Sequence, residues 1–137
     1  MEYELIWHDP SLVIIRMSGE PRAEDFVAAT REWLTSPRFR PDMDRINDIS
    51  GLNATGMSAQ DIERIATMGA MAGREKAGTN KLNGRLVTVT GDSPLKFGLS
   101  RMFEAYFQTH AEAPFHFFKT LEEALAFLRP NESRAES

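Results

Sequence analysis

The stretch Arg45-Ile46-Asn47-Asp48-Ile49-Ser50-Gly51 decides the fold of this 137-residue chain. It is typical of a short strand, from Arg45 to Ile49, whose C-terminal end opens into a polar loop at residues 48–58 that leads into a helix. In α/β proteins, ligands and covalent modifications usually lie where a strand ends and a helix begins. We therefore expect the functional site at the end of this strand.

Strands and helices alternate along the chain on both sides of this stretch. The patterns predict strands at residues 3–8, 12–17, 45–49, 85–90 and 115–118, and helices at 23–34, 58–73, 94–107 and 121–128. The turn Asp9-Pro10-Ser11 joins the first two strands, which should therefore pair antiparallel. This order predicts an α/β fold with a five-stranded, mostly parallel sheet, an antiparallel N-terminal edge strand and about four helices. We expect one domain at residues 1–129 and a flexible C-terminal tail at 130–137.

The composition is that of an ordinary globular domain. The net charge of -4 argues against nucleic-acid binding, and the lack of cysteine excludes disulfides, thiolate metal sites and cysteine nucleophiles. The acidic start Met1-Glu2-Tyr3-Glu4 lacks the basic region of a secretory signal. No apolar run approaches the ~18 residues of a transmembrane helix. We expect a cytoplasmic protein with at most transient membrane contact.

The order of the elements, with a strand that ends Asp48-Ile49-Ser50-Gly51, resembles the STAS domains. These are the domains of the bacterial anti-sigma-factor antagonists, and the chain looks most like their SpoIIAA-like branch of stand-alone proteins. The resemblance covers the chain except the tail, and it depends on residues 12–20, 37–41, 97–104 and 118–128 together with the Asp48 strand. It implies a SpoIIAA-like (STAS) fold with a sheet in sequential strand order and helices packed on it.

The resemblance also implies two kinds of function. In signalling members, a serine in an Asp-Ser-Ser-Gly stretch just after the third strand is phosphorylated by a partner kinase. This chain departs from that pattern, because it has Asn53-Ala54-Thr55-Gly56 at about that place. The wider fold group extends towards lipid carriers of the CRAL-TRIO type, which hold apolar ligands between helices and sheet.

Two groups of residues are candidates for a site. The first is a rim of hydroxyls and carboxylates at the strand ends, suited to binding a phosphate or to being phosphorylated, or else serving only as turn and helix caps. It consists of Asp48, Ser50, Thr55, Ser58, Asp92 and Ser93. The second group is an apolar set that forms either ordinary core or a ligand pocket with a mobile lid within residues 68–107. It consists of Met68, Met71, Phe97, Met102, Phe103, Tyr106 and Phe107.

Motifs for catalysis and metal binding are absent from the sequence. His8, His110 and His116 do not have metal-ligand spacing, and the chain has neither a Gly-x-Ser-x-Gly elbow nor a glycine-rich phosphate loop with a lysine. We therefore expect no enzyme activity, metal or cofactor. The sequence favours a non-enzymatic STAS-like binding or regulatory module that acts through the loops at the C-terminal strand ends. The alternative is a carrier or sensor of a small apolar or lipid-like ligand.

The first strand predicts the oligomeric state. It should lie at the edge of the sheet with Tyr3 and Trp7 exposed, and the acidic Glu2 and Glu4 would blunt that edge only in part. Unprotected edge strands tend to pair with another chain. We therefore expect a homodimer, and a protein partner or an apolar small molecule as the ligand.

Overall fold

The computed structural model describes residues 1–53, 58–61, 63–64, 67, 84–98, 100–101 and 115–135. Its strands are β1 (Glu2–Asp9), β2 (Leu12–Gly19), β3 (Asp44–Leu52), β4 (Leu86–Val89) and β5 (Phe115–Phe118). Its helices are α1 (Ala23–Thr35), α2 with helical residues 59–61, 63–64 and 67, α3 with helical residues 94–98 and 100–101, α4 (Leu121–Leu128) and α5 (Pro130–Ala135).

The five strands form one sheet in the order β1-β2-β3-β4-β5. β1 pairs with β2 antiparallel, and each later pair of neighbours is parallel. This confirms the predicted α/β class, the five-stranded mostly parallel sheet and the antiparallel N-terminal edge strand. The arrangement is consistent with the STAS-like fold that the resemblance implies.

The two faces of the sheet pack against different helices. Side chains alternate between the faces along β2, so that Val13, Ile15 and Met17 pack against α1, whereas Leu12 and Ile14 pack against α4. We call these sides the α1 face and the α4 face. Burying each such aliphatic side chain stabilises the fold by about 1.5–3 kcal/mol. Because β2 contributes buried side chains to both faces, it lies at the centre of both cores.

Helix α1 is fixed to the loop before β3 by the contacts of Trp33 in its C-terminal half. Trp33 is buried, its Nε1–H donates to Met43 Sδ at 3.2 Å, and Phe39 packs edge-on against it with ring centroids 5.1 Å apart. These contacts join α1 to the loop before β3. The predicted helix at residues 23–34 is confirmed to within one residue at its end.

Strand β3 is longer than the sequence predicts. It continues to Leu52, so Asp48 and Ser50 lie within the strand and the prediction of a loop from residue 48 is wrong. The pairing with β2 shifts between Arg16↔Asp48 and Ser18↔Gly51, which is a one-residue β-bulge on β3. Polar residues and a glycine suggest a loop in sequence, but a bulge tolerates them while strand pairing continues beyond it.

Residues 130–135 form α5, a fifth helix that the sequence analysis did not predict. It lies in the segment expected to be a flexible C-terminal tail. Pro130 occupies the first helical position, where its missing N–H costs no hydrogen bond. Glu132 reaches back to β1, where its Oε1 lies 3.1 Å from Nε2 of His8. A tertiary contact therefore accompanies a helix that is too short to be stable alone.

The aromatic side chains of β1 are not exposed in the way that the sequence predicts. Tyr3 and Trp7 are half-buried and pack beside the cluster that β2 forms with α1. The Arg38 guanidinium lies 5.8 Å from the centre of the Trp7 ring. The homodimer remains a prediction, but these two side chains already have contacts within the chain and do not require a partner.

Candidate functional site

The bulge in β3 places a carboxylate and a hydroxyl side by side near the C-terminal ends of the strands. Asp48 Oδ1 accepts a hydrogen bond from the Ser50 N–H at 3.0 Å and another from the Ser50 Oγ–H at 2.6 Å. Asp48 is 5% exposed, whereas Ser50 is exposed. The carboxylate therefore holds the bulge in shape, and the serine hydroxyl is presented to solvent.

An open groove lies beside this pair. It has a volume of about 460 Å³ and is lined by residues of β1, β2 and β3, including Glu2, Glu4, Arg16, Ser18, Asp48 and Ser50. Arg16 Nε lies 3.6 Å from Asp48 Oδ2, a long ion pair whose arginine side chain is 53% exposed. Charges of both signs therefore face solvent within one groove.

The junction of β4 and α3 reaches the same edge through Lys96. Its Nζ donates to the Ser50 carbonyl oxygen at 2.7 Å. Ser93 caps α3 as predicted, with its Oγ accepting from the Lys96 N–H at 3.2 Å and Pro94 at the first helical position. Asp92 is exposed, and its Oδ1 lies 3.9 Å from Lys119 Nζ. Two separate βα junctions thus meet at one edge of the sheet.

The Ser58 hydroxyl forms hydrogen bonds at the start of α2. Its Oγ accepts from the Asp61 N–H at 3.1 Å, and Asp61 Oδ2 accepts from both the N–H and the hydroxyl of Ser58 at 3.0 Å. These hydrogen bonds also lower the pKa of Asp61. The pair is a reciprocal capping box. The Ser58 hydroxyl therefore both donates to Asp61 and caps the helix, whereas the Ser50 hydroxyl only donates to Asp48.

Most of the predicted apolar pocket lies outside the described residues, as does Thr55 of the rim. The pocket residues concerned are Met68, Met71, Met102, Phe103, Tyr106 and Phe107. Phe97 is described: it is 46% exposed, and its ring packs edge-on against Phe117 with centroids 5.8 Å apart. Leu95 beside it is 47% exposed. Helix α3 therefore presents apolar side chains both to the sheet and to solvent.

Sequence patterns did not single out Arg16 and Lys96. We call Arg16, Asp48, Ser50, Ser93 and Lys96 together the carboxyl rim. One signal for Arg16 was available, because it is the one charged residue within the apolar run from Leu12 to Met17. For Lys96 there was none, since a lysine in the first turn of a helix is common on any surface.

A second polar cluster, also missed by sequence reasoning, lies at the opposite end of the sheet. Arg129 donates to Asp9 from Nε at 2.8 Å and to Asp44 from Nη1 at 3.2 Å, and Arg85 Nη2 lies 2.9 Å from Asp44. Arg129 also donates to Ser11 Oγ at 3.0 Å. We call these residues the amino-edge clamp. It ties the end of α4 to the starts of β2, β3 and β4.

The clamp shifts the pKa values of Asp9, Asp44 and Arg129. The hydrogen bond from Arg129 lowers the pKa of Asp9 to about 2, against the opposing effect of burial. Burial by itself raises the pKa of Asp44, but the hydrogen bonds from Arg85 and Arg129 outweigh it and lower that pKa. The hydrogen bonds to Asp9 and Asp44 raise the pKa of Arg129 against desolvation. All of these groups are therefore charged at neutral pH.

One group of described residues has the spacing of metal ligands. Ligand atoms of His8, Asp9 and Glu132 lie within 4.8 Å of one another. Both carboxylate oxygens of Asp9 already accept hydrogen bonds from Arg129, at 2.8 and 3.3 Å. A metal ion there would have to displace a guanidinium, because Asp9 already belongs to the amino-edge clamp.

Comparisons with known proteins do not assign this chain to a family. A scan against protein-family models finds no matching family, and a search of curated proteins finds no similar protein. Among the helices that the structure describes, none has the length and apolar character needed to cross a bilayer.

Proposed function

We propose that this chain is a non-enzymatic, STAS-like binding or regulatory module that recognises a protein partner through the carboxyl rim. The observation that carries the proposal is the meeting of the Asp48–Ser50 bulge with Lys96, whose Nζ lies 2.7 Å from the Ser50 carbonyl oxygen. Open α/β sheets generally bind their ligands outside the carboxyl ends of the strands. We expect this recognition to take place in the cytoplasm.

The shape and charge of the rim favour a protein over a small molecule. Small-molecule sites are usually enclosed and mostly apolar. The groove beside Asp48 is open, and it combines the acidic Glu2 and Glu4 with the exposed Arg16. Mixed charges on an open surface mainly provide specificity and faster association with a partner of complementary charge.

A hydrolytic role for Ser50 has little support. Its hydroxyl is hydrogen-bonded to Asp48 at 2.6 Å, but neither described histidine contacts it. His8 bonds to Glu132, and the ring of His116 packs on Phe127 with centroids 4.5 Å apart. Nucleophilic serines normally require a base that is itself oriented by a third group. A regulatory role is easier to support: a phosphoryl group on Ser50 would replace the hydrogen bond to Asp48 with like-charge repulsion, and Lys96, which donates to the Ser50 carbonyl oxygen, supplies a nearby cation.

Site-specific photo-crosslinking in cells tests the proposal. A crosslinking amino acid at Ser18, which is exposed in the groove, should form an adduct with a partner, and the same amino acid at Ala28 on the exposed side of α1 should not. Lys96→Glu should abolish the Ser18 adduct, because it reverses the charge at the rim. Arg31→Glu, the matched reversal on α1, should leave it intact. An adduct insensitive to Lys96→Glu would rule out the carboxyl rim as the recognition surface.

A further inference from the structure

A buried arginine lies on the opposite side of the sheet from the groove. Arg45 of β3 is 8% exposed, and its guanidinium lies 4.6 Å from the centre of the Trp33 ring. Its Nε has no hydrogen-bond partner, and no carboxylate in the described part of the chain forms an ion pair with it. Burial lowers the pKa of Arg45 to about 10, so the side chain is a cation at neutral pH.

Two further polar atoms on this side of the sheet are buried without a partner: Asn47 Oδ1 and Ser100 Oγ. Asn47 lies two residues after Arg45 on β3 and therefore on the same α1 face. Ser100 is 6% exposed and follows Phe97 by one helical turn. Phe97 packs on Phe117, which is in register with Thr88 and through it with Asn47. Ser100 thus faces the layer between α3 and the sheet.

This polar layer is unusual beside an apolar core. On the same face, β2 contributes Val13 and Ile15, both of which are buried. Buried polar atoms nearly always have a partner, and a buried charge without one is especially costly. A cation, an amide and a hydroxyl without partners therefore indicate that a ligand or ordered solvent supplies the missing hydrogen bonds.

We propose that Arg45, Asn47 and Ser100 bind the oxyanion headgroup of a small organic ligand in the layer between the sheet and helices α1 and α3. The guanidinium pairs with a carboxylate or phosphate oxygen, the Ser100 hydroxyl donates to the headgroup, and Asn47 donates to it from Nδ2 once its side-chain amide rotates to put the nitrogen in place of the unpartnered oxygen. In the sheet, Arg45 is flanked by Val13 and Leu86, both buried, which favours a ligand with an apolar body over a hydrated ion. This site is separate from the carboxyl rim and does not depend on its proposed function.

Trp33 fluorescence provides a direct test. The chain has two tryptophans, so a Trp7→Phe background leaves Trp33, which stacks on Arg45, as the sole reporter. We expect decanoate, kept below its micelle concentration, to change this fluorescence saturably and to bind at least tenfold more tightly than decanol, which lacks the charge. Arg45→Met should abolish decanoate binding, whereas Arg31→Met on the exposed side of α1 should not change it.

Inorganic phosphate distinguishes the two sources of an oxyanion. Saturable, Arg45-dependent binding of phosphate but not of decanoate would support the site and identify a free anion as its ligand. Equal affinities for decanoate and decanol, an affinity unchanged by Arg45→Met, or no response to decanoate or phosphate would each overturn the proposal. If circular dichroism shows that Arg45→Met does not fold, Arg45→Lys replaces it. We expect Arg45→Lys to bind decanoate at least tenfold more weakly, because lysine lacks the planar pair of N–H donors with which a guanidinium binds a carboxylate. An unchanged affinity would again overturn the proposal.

Discussion

The two ends of the sheet use the same kinds of residue in opposite ways. At the amino-edge clamp, Arg129 and Asp44 have side chains that are 17% and 12% exposed, and they lie 3.2 Å apart. At the carboxyl rim, Arg16 is 53% exposed and lies 3.6 Å from Asp48. Ion pairs at an exposed surface contribute about 0–1 kcal/mol, whereas removing one partner of a buried pair leaves an uncompensated charge. The amino edge is therefore a structural clamp, whereas at the rim the Asp48 carboxylate is buried and the exposed Arg16 is available to a partner.

Removing Asp44 should have the largest effect on stability. Asp44→Ala leaves the Arg85 and Arg129 guanidiniums without a shared carboxylate, so we expect the free energy of unfolding to fall by about 3–5 kcal/mol. Urea unfolding measures this loss. The control is Asp42→Ala, which removes an exposed ion pair with Arg40 and should cost less than about 1 kcal/mol. Equal losses in the two variants would show that the amino edge is not a clamp.

Acid should weaken the clamp by a smaller amount. The pKa of Asp9 is lowered from 3.8 to about 2 in the folded protein, so its ionised form stabilises the fold above pH 3.8, and this contribution is lost as the pH falls towards 2. At 1.36 kcal/mol for each unit of pKa, the loss is about 2 kcal/mol. Urea unfolding between about pH 4 and about pH 2 follows it. In Arg129→Met this part of the acid dependence should disappear, and an unchanged profile would assign the acid sensitivity to other carboxyl groups.

The smallest effects should come from the serines near the carboxyl end of β3. Ser58→Ala removes the N-cap acceptor of α2 and should lower stability by about 1 kcal/mol. Ser50→Ala removes the hydroxyl's 2.6 Å hydrogen bond to Asp48 but keeps the backbone one, and because water can replace the exposed hydroxyl as the donor it should cost less, about 0.5 kcal/mol. Thermal unfolding of the two variants compares them. A larger loss for Ser50→Ala would mean that the hydroxyl maintains the bulge and is not reserved for a partner.

Local patterns were sufficient for the order of the elements and for several of their ends. The caps Ser93 and Thr120 were predicted from sequence, and each accepts the expected backbone hydrogen bond, from Lys96 and Glu123. The short turn between β1 and β2 predicted their antiparallel pairing, which is confirmed. Such features depend on residues within a few positions of one another, and so they can be read directly from the chain.

The bulge and the site residues depended on contacts between distant parts of the chain. Asp48 and Ser50 were predicted in a loop, but pairing with β2 keeps them in the strand, and Lys96 reaches Ser50 only after α3 packs on the sheet. The partner of Arg129 at Asp9 is 120 positions away in the sequence. Arg45 was placed in a strand from its sequence, yet only packing beneath Trp33 makes it a buried cation. The sequence by itself determined the order of the five strands and of the helices up to α4, whereas the tertiary structure decided which charges are paired, because burial and pairing depend on which segments meet.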